Sequence, residues 1–178
     1  GSRLIGSDPD LVLHGGGNTS IKTTFTDVTG DSFDALFVKG SGWDLATIER
    51  RGFAPLNLSR LRDLLALDSL SDTDMMRELT ASSFDPGAPA PSVESLLHAY
   101  IPHQAVQHSH ADAIVSMTNV VEGEKCVREV FGDSVVVIPY VMPGFDLAKA
   151  VAARWPDEAH DHTVGMVLLN HGLFTFGE

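Results

Sequence analysis

The stretch Val106-Gln107-His108-Ser109-His110 decides how this chain is read. It reads as a short strand, and residues two apart in a strand project from the same face of a sheet. The ring nitrogens of His108 and His110 can therefore converge on one ion. His171, directly before Gly172, offers a third imidazole from a different strand. Three neutral imidazoles with an open fourth position form the ligand set of a catalytic rather than a structural zinc. In a chain with eight histidines a His-x-His pair also arises by coincidence, so the flanking sequence has to decide.

On the N-terminal side, Leu11-Val12-Leu13 leads into His14-Gly15-Gly16-Gly17-Asn18-Thr19-Ser20, and Ile21 to Phe25 reads as a strand. A triple glycine lets the backbone approach a ligand closely, or simply turns a hairpin. Asp34 to Val38 is a further strand, running into a second glycine turn at Lys39-Gly40-Ser41-Gly42. Apolar spacing predicts helices over Asn57–Leu67 and Ser71–Thr80. After the Pro- and Gly-rich loop Ser83–Pro91, Ser92 is a favoured N-cap for a helix reaching about Ile101. Beyond the His-x-His pair come helices over Ala111–Asn119, Glu124–Phe131 and Phe145–Arg154. Strands are expected at Val135–Val141, Gly165–Leu169 and Leu173–Phe176. Trp155 to His162 reads as a polar surface loop, with the second pair, His160 and His162, solvated. Strands and helices alternating without a repeat predict a mixed α/β or α+β sheet in one domain, 1–178.

Composition narrows the function classes. A hydrophobic fraction of 43% suits a globular protein, and no apolar run reaches the length of a membrane span. Twelve basic against twenty-four acidic residues give a formal charge of −12, which argues against nucleic acid as a partner. A phosphorylated ligand would then need local neutralisation by backbone N–H groups, a metal or one well-placed Lys. The single cysteine, Cys126, excludes an internal disulfide and fits a reducing cytoplasm. No signal peptide is evident, and Gly1-Ser2 reads as an expression remnant that hides any native start.

Several residues carry two readings. Glu94 is either an acid complementing the dipole of the helix opened by Ser92, or a general acid/base beside a metal. Asn18 and Ser41-Gly42 are phosphate-compatible glycine-loop positions, though most glycine turns bind nothing. Lys39 is either solvated or the local positive charge such a ligand needs. His14, His98 and His103 have no partner at metal spacing and read as structural, and Cys126 as packing. Nucleophile-elbow, Walker and dinucleotide-fold motifs are absent.

In order, Gly17-Asn18-Thr19-Ser20, Lys39-Gly40-Ser41-Gly42, Ser92-Val93-Glu94, His108-Ser109-His110 and His171-Gly172 resemble the class II aldolase/adducin family over about His14 to Glu178. The fuller strings HGGGNTSIKT, KGSGWDLATIE, YVMPGFDLAKA and NHGLFTFGE resemble most the aldolase part of bifunctional rhamnulose-1-phosphate aldolase/alcohol dehydrogenases. The resemblance implies a three-layer α/β/α domain around a largely antiparallel sheet. It implies zinc, or another divalent metal, on His108, His110 and His171, with Glu94 as catalytic acid/base. The substrate phosphate is expected on Gly17, Asn18, Ser41, Gly42 and Ser92, with one hydroxyl fewer than in relatives carrying serine in place of Val93. The implied activity is reversible cleavage of a ketose 1-phosphate, L-rhamnulose 1-phosphate above others, to dihydroxyacetone phosphate and an aldehyde such as L-lactaldehyde. Rival readings are a pentulose-phosphate 4-epimerase or sugar-phosphate dehydratase on the same fold, and a non-catalytic adducin-like interaction domain. The family further implies a homo-oligomer, commonly a tetramer. It also implies helical sequence beyond His171 that covers the site, so the chain is expected to be C-terminally truncated, with a dehydrogenase domain in the full-length protein.

Overall fold

A computed structural model describes residues 1–178. Its strands are β1 (Asn18–Thr26), β2 (Ser32–Lys39), β3 (Phe53–Asn57), β4 (Ala105–Ser109), β5 (Val135–Ile138), β6 (Gly165–Leu168) and β7 (Gly172–Gly177). They form one sheet in the order β3-β2-β1-β4-β7-β6-β5, antiparallel at every pairing except β5–β6. The helices are α1 (Ser2–Gly6), α2 (Leu58–Leu65), α3 (Asp72–Ala81), α4 (Ser95–Tyr100), α5 (Asp112–Thr118), α6 (Gly123–Phe131) and α7 (Phe145–Glu158). The mixed α/β class and the mostly antiparallel sheet agree with the sequence reading.

Strand periodicity sorts the core. Val136 and Ile138 of β5, with Met166 and Leu168 of β6, join the larger apolar cluster, which includes Leu61 of α2, Leu79 of α3, Leu97 of α4 and Val151 of α7. Their neighbours Val135, Val137 and Val167 point the other way and pack with Ile114 of α5 and Val127 of α6. β5 and β6 are thus buried on both faces, which is why they read as continuous apolar runs rather than alternating ones.

Several boundaries differ from expectation, among them the end of β5 at Ile138 rather than Val141 and β2 at Ser32–Lys39 rather than Asp34–Val38, and some of the differences have a local reason. β1 begins at Asn18 rather than Ile21, because Asn18, Thr19 and Ser20 already pair with β4. β3 was not foreseen: Pro55 interrupts its strand pattern, and proline is tolerated there because β3 lies at the sheet edge. Asn57 then ends that strand and caps α2 by accepting from the Arg60 N–H at 3.0 Å. α7 runs past Arg154 through Pro156 to Glu158, so only the remainder of the expected Trp155–His162 loop is non-helical. A proline leaves the carbonyl four residues earlier without its donor. Here the Tyr100 hydroxyl donates to that Ala152 carbonyl at 3.2 Å.

The register explains why distant motifs meet. Ser20 lies opposite Val38, Asn18 opposite His108, and His108 opposite Phe174. The starts of β1 and β7 and the ends of β2 and β4 therefore share one end of the sheet. Both glycine loops, His110 and His171 emerge there. No helix is long and apolar enough to cross a membrane.

Candidate metal centre

His108 sits near the end of β4 and is fully buried, with its ring stacked on Phe174 at a centroid distance of 4.3 Å. Its Nδ1 donates to the Leu173 carbonyl at 3.1 Å. That bond fixes the tautomer and leaves the Nε2 lone pair facing the site, as a metal-ligating histidine requires. His110, just beyond the strand, brings its Nε2 to 3.0 Å from that of His108.

His171 arrives from the β6–β7 connection, where Asn170 takes a left-handed conformation at φ 58°. Asparagine tolerates that region. The Asn170 amide anchors the turn to the end of α5 by donating to the Thr118 carbonyl and to Asn119 Oδ1. Gly172 follows, where a Cβ would collide with the Ser109 carbonyl and press on both His108 and His110 at 3.1 Å. One donor nitrogen from each of the three histidines lies within 4.8 Å of the others. Tetrahedral zinc at about 2.0–2.1 Å from imidazole holds its ligand nitrogens roughly 3.4 Å apart, a spacing inside the range seen here.

Glu94 faces this triad. Its Oε2 is 3.5 Å from His108 Nε2, and its Oε1 is 3.5 Å from His171 Nε2. The expected helix start at Ser92 is displaced: α4 begins at Ser95, with Glu94 at the N-cap position. The Glu94 side chain makes no capping hydrogen bond and instead accepts one from the Asn18 amide. It turns inward, 5% exposed. Burial raises its proton affinity above the usual carboxylate range, opposed by His171, by the Asn18 hydrogen bond, and by His110 and Lys39. Burial likewise pushes His108 down to about 3 and His171 to about 4, the latter against the pull of Glu94. Both rings are therefore neutral and available to a metal at neutral pH. In the whole protein, the buried side-chain polar atoms lacking a hydrogen-bond partner are Glu94 Oε1 and His171 Nδ1. Such orphans are rare in native interiors. Their occurrence together here, beside three convergent imidazoles, fits a site built to receive a divalent ion and a polar ligand.

His110, His171 and Glu94 line a pocket of about 320 Å³ together with Gly17, Asn18, Ser41, Gly42 and Ser92, whereas His108 is fully buried and does not line it. A short bridge between Gly40 and Pro91 holds the second glycine loop against Ser92. The Ser41 N–H is already committed to the Ala90 carbonyl, whereas those of Gly17 and Gly42 donate to no backbone acceptor. Gly17 has φ 61°, and a Cβ there would meet the His108 carbonyl at 2.7 Å. The Asn18 amide donates to Glu94 Oε2 at 2.6 Å and to Ser92 Oγ at 3.2 Å. Ser92 Oγ also accepts from the Glu94 N–H, which leaves its own proton free for a ligand. Val93 lines the pocket where a further hydroxyl was expected in relatives.

Two residues outside the expected set belong here. Lys39 is 4% exposed and lines the pocket, donating to the Gly15 carbonyl at 2.9 Å. Its strand-end position and single charge gave two readings, and the structure removes the solvated one. His98, buried and hydrogen-bonded to Asn18 and Ser20, had no sequence neighbour to flag it. His103 stacks on Phe176, in keeping with a structural residue.

Fold and site together define a mixed α/β protein with a candidate divalent-metal centre facing a buried carboxylate. The chain belongs to the family described as class II aldolase and adducin N-terminal domain, whose family model matches residues 2–178. The solved N-terminal class II aldolase domain of a conserved protein from Thermoplasma acidophilum is 46% identical, with a TM-score of 0.90 over 99% of this chain and 80% of that one. The protein named uncharacterized oxidoreductase YuxG from Bacillus subtilis (strain 168) is 41% identical over 177 residues, 99% of this chain. The chain spans 25% of that relative's length. A methylthioribulose-1-phosphate dehydratase from Pseudomonas aeruginosa is 28% identical over 166 residues, 79% of this chain and 78% of that protein. L-fuculose-1-phosphate aldolase from Thermus thermophilus shares the fold, with a TM-score of 0.57 at 18% identity over 99% of this chain and 76% of that one.

Proposed function

We propose that the chain is the catalytic domain of a metal-dependent aldolase that cleaves a ketose 1-phosphate reversibly to dihydroxyacetone phosphate and a small aldehyde. L-rhamnulose 1-phosphate and L-lactaldehyde are the favoured pair, on the motif resemblance. The observation that carries the reading is the convergence of three imidazoles beside Glu94, whose unpartnered Oε1 lies 3.5 Å from His171 Nε2, at a glycine-lined pocket. We take residues 1–178 as one three-layer α/β/α domain of a longer cytoplasmic protein that assembles as a homo-oligomer, a tetramer by family resemblance. The name of the YuxG relative, of which the chain covers a quarter, supports a dehydrogenase domain elsewhere in the full protein.

His108, His110 and His171 hold the ion, with zinc the metal their all-imidazole set suits best. When bound, the ion supplies Lewis-acid stabilisation of the negative charge that develops on substrate oxygen as the C3–C4 bond breaks. Glu94 Oε1 transfers the proton at the carbon that becomes part of dihydroxyacetone phosphate. Burial raises its proton affinity above the ordinary carboxylate range, which favours the proton uptake an acid/base group needs. The free N–H groups of Gly17 and Gly42, the Ser92 hydroxyl and the Lys39 charge hold the phosphate, which a chain of net charge −12 otherwise repels. Asn18 contributes by holding Glu94 and Ser92, since its amide hydrogens are already engaged.

Deuterium exchange into dihydroxyacetone phosphate tests this assignment. Glu94→Gln is expected to abolish exchange while metal content is retained, and normal exchange in that variant sinks the role given to Glu94. The dehydratase relative supports a second reading, loss of water from a ketose 1-phosphate at the same site. Release of an aldehyde separates cleavage from dehydration. A purified protein with less than about a tenth of an equivalent of divalent metal would favour the adducin-like scaffold instead.

A further inference from the structure

We propose that His98 is a positioning residue: through Asn18 it fixes the orientation of the Glu94 carboxylate. The inference rests on the proton-transfer role proposed for Glu94.

Oε2 of Glu94 lies 2.6 Å from Asn18 Nδ2, the only hydrogen bond made by the Glu94 side chain, since Oε1 has none. The other Nδ2 hydrogen goes to Ser92 Oγ at 3.2 Å. Asn18 Oδ1 must then be the atom that meets His98 Nε2, so that nitrogen carries the ring proton and donates. His98 is fully buried, and burial lowers its basicity well below the usual histidine range, so the ring stays neutral. A neutral ring protonated at Nε2 has a bare Nδ1, and the Ser20 hydroxyl donates to it at 2.7 Å.

Every hydrogen in this chain from Ser20 to Glu94 has one permitted place. An asparagine amide turned end for end keeps its shape. In that state Asn18 Oδ1 would face the carboxylate, two acceptors in contact, and Glu94 and Ser92 would both lose their donor. The proton on His98 opposes that state. Secondary structure supplies the alignment: Asn18 and Ser20 are two apart on β1, and Glu94 and His98 are four apart across the start of α4.

Two measurements test the inference. Nitrogen-15 NMR of the metal-free chain reads the tautomer directly. The expected result is a protonated Nε2 and a bare Nδ1 on His98, and an Nδ1-protonated ring overturns the proposal. Kinetically, His98→Leu should lower kcat and the rate of dihydroxyacetone phosphate exchange by roughly 10- to 100-fold, the usual effect of losing a supporting partner. Metal content should stay at the wild-type level and KM should change less than kcat. His98→Gln, which retains an N–H donor within reach of Asn18, should recover most of the loss. Wild-type kcat in His98→Leu, or a Gln variant no better than Leu, overturns it. Failure of the Glu94 role shows differently, as normal exchange in Glu94→Gln with the His98 tautomer unchanged.

Discussion

Two His-x-His pairs in this chain have the same spacing and opposite fates. His108 and His110 straddle the end of a strand, and their Nε2 atoms face each other 3.0 Å apart in a largely buried site. His160 and His162 lie in a turn after α7, and both ring nitrogens of His160 are occupied. Its Nδ1 accepts from the His162 N–H at 3.1 Å and its Nε2 donates to the Asp133 carbonyl at 2.9 Å. Spacing alone therefore does not make a ligand pair. The difference comes from the backbone, which aims side chains two apart to one side only when extended, and from burial that leaves nitrogens without ordinary partners.

Metal binding is the sharpest way to break the comparison. His171→Ala or His108→Ala should lower metal affinity by more than the roughly 10- to 100-fold seen on losing an outer-shell partner, with activity lost in parallel. The double variant His160→Ala/His162→Ala should keep both. Metal analysis of the purified proteins reads the outcome, and equal metal content in the two sets would mean that the strand pair has no special standing. The next largest effect is on packing. Gly172→Ala places a methyl against the Ser109 carbonyl and both imidazoles of the first pair. We expect a loss of about 1–3 kcal/mol in urea unfolding, typical of overpacking, together with weakened metal binding. Unchanged stability would show that the turn carrying His171 can yield.

How much of this was legible follows the same division. The β-branched run of β5, the helical spacing of α2 and α3, and the order of the glycine and histidine motifs were readable, because each is a local pattern. β3 was missed because Pro55 hides it, and the end of α7 because the compensating donor, Tyr100, lies far away in sequence. At the site, the candidate ligands and Glu94 were nominated, but Lys39 kept two readings and His98 read as structural. Burial by an opposing element decides both, and no single segment encodes that. The part played by His98 depends on Asn18 and Ser20, residues on a strand that sequence places far upstream.

A smaller and graded effect concerns pH. Burial holds His108 at about 3 and His171 at about 4, against an ordinary value of 6.5, and lowers His98 well below its usual range. Below about pH 6.5 the unfolded chain takes up protons that the folded one refuses. The stability these groups contribute is thus fully present above pH 6.5 and is lost as pH falls, through about 4 for His171 and about 3 for His108. Glu94 acts in the opposite sense: its raised folded value contributes stability below about pH 4.5, lost as pH rises through that folded value. Three histidines outweigh one carboxylate, so the urea midpoint of metal-free protein should fall between pH 7 and pH 5. The slope is bounded by about 1.4 kcal/mol per pH unit for each proton. His171→Asn should flatten it, and a slope unchanged by that variant would remove His171 from the account.

The smallest expected effect belongs to the second pair. His160 is 37% exposed in its side chain and joins the turn after α7 to Asp133, just beyond the end of α6. The Asp133 carboxylate is 3.7 Å from the ring and 95% exposed, so any attraction between the two is screened by water. What His160→Ala removes is one hydrogen bond to a carbonyl and one accepted from a backbone N–H, both in contact with solvent that can replace them. The expected cost is about 0.5–1 kcal/mol, near the net value of one intramolecular hydrogen bond. Chemical denaturation at neutral pH measures it. A loss approaching that of Gly172→Ala would mean that this turn holds α7 against the sheet, and the contrast between a candidate ligand pair and a solvated pair would lose its second member.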